Sequence, residues 1–143
     1  MTRLPWQAPR TAYLFTAAVA AGDKAAADAL WDGLGDAEQA DVLTALGAQA
    51  KTATTATWRT GTALGDDHAR RFGAEACEKA LAAMTALLAD PPVPWELPQC
   101  SHCRKLLATA IASFSVLLAR QRGLSAEVFA HSCRETAAAA ART

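Results

Sequence analysis

The stretch SHCRKLLATAIASFSVLLARQRGLSAEVFAHSC, residues 101–133, decides the fold. From Cys103 onward, apolar residues return at helical spacing through Leu107, Ala110 or Ile111, Phe114 and Leu118, the stripe of a single helix face. Gly123 stops that helix near Arg122, Ser125 follows as an N-cap, and Leu124 stands where it can staple onto Phe129. Two helices joined by so short a link lie antiparallel, so the chain is expected to close with a helical hairpin.

The same grammar repeats toward the N-terminus. A first helix is expected from about Thr11 to Ala21, ended by Gly22, with Asp23 capping the next. That second helix carries Ala27, Leu30, Trp31 and Leu34 at i, i+3, i+4, i+7 spacing. After Gly33 and Gly35, Asp36 is read as the N-cap of a third helix with Gln39 in the capping-box position and Val42, Leu43, Leu46 and Ala50 on its buried stripe. Six threonines flank Trp58 between Thr52 and Thr62, where helix propensity is weak. Gly65 and Asp66 open a fourth helix that Pro91 ends, and residues 91–99, rich in proline, form a stiff inter-helix loop carrying Trp95. The helix of residues 101–122 is then the fifth and that after Ser125 the sixth. Residues 1–10 are read as a flexible lead-in.

Composition agrees. Of 143 residues, 37 are alanine and only 6% are aromatic, which favours helix over sheet. The expected fold is all-α, a compact antiparallel bundle of five or six helices in one domain spanning 1–143. A chain of this length buries roughly 70% of its unfolded surface, enough for a core without staples. Fourteen basic residues balance fourteen acidic ones, so nucleic acid and anionic membrane are not the expected partners. No apolar stretch is read as reaching the roughly 20 residues of a membrane span. The run from Ala12 to Ala21 follows Arg3 and Arg10 and has a superficial signal-peptide pattern, but Pro5, Pro9 and Thr16 favour an ordinary first helix.

The charge is nevertheless segregated. Asp23, Asp28, Asp32, Asp36, Glu38 and Asp41 face only Lys24 early in the chain, whereas Arg104, Lys105, Arg120, Arg122, Arg134 and Arg142 face Glu127 and Glu135 at its end. Solvated faces and helix-end complementarity account for this, with partner docking between the two ends as the alternative.

The four cysteines are read as thiols of a reducing cytoplasm rather than as a secreted disulfide framework. Cys77 and Cys133 lie on apolar stripes and are read as core thiols sharing a layer with Phe114, while His68 and His131 project to the polar faces of their helices. Helical rise puts that layer ~20 Å from the other cysteine pair, too far for one four-cysteine zinc site.

Cys100-Ser101-His102-Cys103 is the sharper motif. A C-x-x-C at a helix start places its sulfurs beside free N–H groups and the positive dipole end, which suits a thiol–disulfide couple or half of a zinc site with His102. The helical AhpD-type peroxidase partners place C-x-x-C likewise, but Leu107 stands where that family has its histidine, so the activity is not carried over. The WhiB-like iron–sulfur pattern also fails, because Cys133 comes too late for its fourth ligand. No phosphate loop, paired-histidine helix or nucleophile elbow nominates a catalytic constellation. No cofactor is expected.

Two functions follow as expectations. One is a cytoplasmic protein–protein interaction module, self-associating through alanine-rich faces, with Trp58 and Trp95 as candidate partner-binding anchors. The other is a thiol-redox or metal module built on Cys100, His102 and Cys103.

Overall fold

The computed structural model describes residues 6–54, 99 and 101–140. Among them are five α-helices and no strand: α1 (Gln7–Ala20), α2 (Lys24–Asp32), α3 (Asp36–Thr54), α4 (Ser101–Gln121) and α5 (Ala126–Ala140). The fold is an all-α antiparallel bundle. The helix expected over 66–90, the proline-rich loop before Gln99, and Trp58, His68, Cys77, Trp95 and Cys100 all lie outside the described residues.

Two turns reverse the chain by the same device. At the end of α1 the Asp23 N–H donates to the Ala18 carbonyl at 2.9 Å and the Gly22 N–H to Val19 at 3.1 Å, with Gly22 at φ +71°. At the end of α4 the Leu124 N–H reaches Ala119 at 3.1 Å and the Gly123 N–H reaches Arg120 at 3.0 Å, with Gly123 at φ +85°. Each is a Schellman closure, in which glycine takes the left-handed position that a side chain would strain. Beyond them, Asp23 accepts from Ala26 N–H at 3.1 Å and Ser125 Oγ from Val128 N–H at 3.2 Å, so both following helices have the caps the sequence announces.

Two local expectations are corrected. α1 begins at Gln7 rather than Thr11, because Pro9 falls in the first turn, where its missing N–H would have had no helical partner. Residues 7–10 are therefore helix, not lead-in. α3 takes Gly35 as its N-cap residue: Glu38 Oε1 accepts from the Gly35 N–H at 3.1 Å, which makes Glu38 the capping-box acid and releases Gln39 for another role. Leu124 is 42% exposed, and Phe129 packs in the cluster with α1.

The main core joins α1, α2, α3 and α4. Phe15, Trp31, Leu43, Leu46, Ile111, Phe114 and Leu118 are its largest members, each almost completely buried. Side chains of this size contribute roughly 1.5–3 kcal/mol apiece when fully buried. Phe15 and Trp31 meet at 6.0 Å with a tilt of 54°, an arrangement the ring quadrupoles favour. The Trp31 Nε1 has no partner among the described residues, so this ring serves by its volume.

The hairpin of α4 and α5 is present, but its second arm leans on α1. Ala130, Cys133 and Ala137 turn inward along α5, where Ala17, Tyr13 and Ala20 meet the first two. Small side chains on both helices allow the close approach. By length and composition alone α4 would pass for a membrane-crossing helix over Ser101–Arg120, contrary to the sequence expectation, yet 67% of that span is buried inside the bundle.

Candidate functional site

The first turn of α4 carries the described half of the C-S-H-C motif, and α3 holds it in place. Gln39 is only 3% exposed. Its Nε2 donates to Ser101 Oγ at 2.9 Å and to the Leu34 carbonyl at 3.3 Å, while its Oε1 accepts from Arg104 Nη1 at 2.8 Å. Every side-chain polar atom of this buried amide is thereby used, as burial demands.

Arg104 completes the clasp from the other side. It is 7% exposed, and its guanidinium donates through Nη1 to Asp36 Oδ1 at 2.9 Å and through Nη2 to the Gln99 carbonyl at 2.6 Å. The carbonyl belongs to the residue just before the motif, so the arginine folds back and fixes the entry of the chain into α4. Ser101, between the two cysteines of the motif, is the residue that docks on α3. His102 points to solvent and Cys103 is half-buried.

Next to Arg104 along α4, Lys105 Nζ meets Asp28 Oδ1 at 2.8 Å and Asp32 Oδ1 at 3.6 Å, and Asp28 Oδ2 also takes Lys24 Nζ at 2.9 Å. Hydrogen bonds from Lys105 and then Lys24 hold the Asp28 carboxyl below its usual pKa, and the bond to Asp28 raises that of Lys105. Part of the segregated charge is thus consumed within the molecule: acids of α2 and α3 clasp the basic first turn of α4.

The other sequence-predicted residues are dispersed. Cys133, at 5% exposure, sits between Ala130 and Ala17, and burial pushes its thiol up to about 11 against a small opposing pull from Arg134. The packing partner of Cys133 is α1, because α5 turns its small residues toward Ala17. His131 lies on the exposed face and pairs with Glu135 at 3.1 Å. Leu107, at the position of the absent histidine, is core. Among the described residues, no group of three or more His, Cys, Asp or Glu side chains is gathered for a metal ion.

Gln39 and Arg104 are the residues that sequence reasoning missed. The signal was present for Arg104, which shares a helical stripe with Leu107, Ala108 and Ile111, where an arginine is out of place unless paired. Comparison with protein families, curated proteins and solved structures finds no match.

Proposed function

We propose that this chain is a protein–protein interaction module that self-associates, its partner a second copy. The supporting observation is the entry to α5, where Leu124 in the turn is 42% exposed and Val128 in the first turn of the helix is 54% exposed. A net charge of zero removes the long-range repulsion between copies that would oppose contact there. Because acids of α2 and α3 are already paired with Arg104 and Lys105, the contact is apolar rather than an electrostatic docking of chain ends. Cytoplasmic residence belongs to the same reading: Cys133 packs among alanines as a thiol, the form a reducing compartment maintains. Light scattering across a concentration series tests it. The wild type forms a dimer and the double variant Leu124→Asp, Val128→Asp remains monomeric; a wild type that is monomeric throughout refutes the proposal.

The position of Cys103 in the first turn of α4, half-buried and followed by the Arg104 guanidinium, favours one second reading. There Cys100, Cys103 and His102 form a redox couple or zinc site at the positive end of the helix dipole. Metal analysis and intact mass before and after mild oxidation decide it: bound zinc, or the loss of two hydrogen atoms to the added oxidant, supports this reading, whereas unchanged thiols and no metal exclude it.

A further inference from the structure

A second feature lies at the opposite end of α4. Ser113, Val116, Leu117 and Arg120 follow at i, i+3, i+4 and i+7 and form one wall of a cleft of about 310 Å³. The C-terminal turn of α1, with Val19 and Ala20, faces them, and Ala126 brings in the N-terminus of α5. The stripe reads polar, apolar, apolar, cationic from floor to mouth, because Ser113 is 4% exposed whereas Arg120 is exposed.

Ser113 is the unexpected member. Four hydroxyl side chains lie on α4; Thr109 donates to the Lys105 carbonyl, Ser115 donates to Ile111 and Ser101 accepts from Gln39. The Ser113 hydroxyl has no partner among the described residues, although a carbonyl one turn back is the usual recipient. A buried hydroxyl left unpaired costs roughly 1–3 kcal/mol, and Ser113 is one of the residues that line the cleft.

The mouth favours an anion. No ion pair engages Arg120 among the described salt bridges. At α5 the N–H groups of Val128 and Phe129 are taken by Ser125, while those of Ala126 and Glu127 lie outside the helical ladder and face the positive dipole end. Glu127 is exposed and is not part of the cleft's described lining.

We propose that this cleft binds a small amphipathic carboxylic acid bearing a second oxygen at its far end. The carboxylate rests on Arg120 and the start of α5, the hydrocarbon body lies against Val19, Val116 and Leu117, and the distal oxygen accepts from Ser113. Seven residues of helix rise by ~10.5 Å, which suits a chain of about eight carbons.

Titration calorimetry with 8-hydroxyoctanoate, octanoate and 1-octanol tests the site on the full chain. The hydroxy acid binds most tightly, octanoate next and the alcohol least. Arg120→Gln, at an exposed position that leaves the fold intact by circular dichroism, weakens both acids about tenfold. Ser113→Ala brings the two acids to equal affinity. Absence of acid binding to the wild type, equal binding of all three probes, equal binding of the two acids by the wild type, or an Arg120→Gln variant that binds as well as the wild type each overturns the proposal.

Discussion

Arg104 shows why one residue governs the entry to α4. Its guanidinium is buried on the stripe of Leu107 and Ile111, and a charge there persists because acceptors such as Gln39, Asp36 and the Gln99 carbonyl take its hydrogen bonds. Arg104→Met keeps the length of the side chain but leaves the Gln39 oxygen and the Gln99 carbonyl without their donor. Urea denaturation is expected to show a loss of about 2–3 kcal/mol; a loss below about 0.5 kcal/mol would mean the clasp is incidental. Asp28 makes a separate prediction. Its pKa lies below 3.8 in the folded state, so the stabilisation it gives is present above that value and lost as pH falls through the lowered folded value. Lys105, raised above 10.5, keeps its contribution until alkaline pH. Melting temperatures of the wild type and Asp28→Asn should therefore differ at neutral pH and converge in strong acid. A gap that persists unchanged below Asp28's folded pKa contradicts this pairing.

At the scale of elements, helix ends explain both what was legible and what was not. Gly22, Asp23, Gly123 and Ser125 act through bonds to residues within five positions of themselves, so a linear reading places them correctly. The two left-handed glycines can be told apart from the others by substitution. An added methyl meets nothing within 4 Å at Gly123, so Gly123→Ala costs only the backbone strain of φ +85°, about 1–2 kcal/mol. Gly33 has φ −78° and its added methyl would meet the Ala29 carbonyl at 3.5 Å, so Gly33→Ala is neutral or slightly stabilising. Chemical denaturation of both variants checks the contrast, and equal losses would refute it. Gln39 was misread because Gly35 and Asp36 both fit a cap locally; only the arrival of Ser101 and the buried Arg104, 62 and 65 residues later, gives Gln39 its side-chain partners. The direction in which α5 leans was equally illegible, since Ala130, Cys133 and Ala137 specify a small-residue face without naming the helix that it meets.

Across the whole molecule, composition announced an all-α bundle, and the balance of fourteen charges against fourteen now has a spatial meaning. Asp28, Asp32 and Asp36 join the N-terminal helices to Arg104 and Lys105, which ties early and late sequence into one body. At the turn of the hairpin the apolar pair Leu124 and Val128 remains outward, and Leu106 does so nearer the start of α4. Association through such a pair depends on hydrophobic burial and not on ion pairing, and the two respond oppositely to salt. Sedimentation velocity of the wild-type chain at low and high sodium sulfate therefore tests the proposed self-association most directly. The dimer is expected at both salt concentrations, and no weaker at the higher one; a monomer under every condition, or a dimer that dissolves as salt rises, would contradict association through this apolar surface.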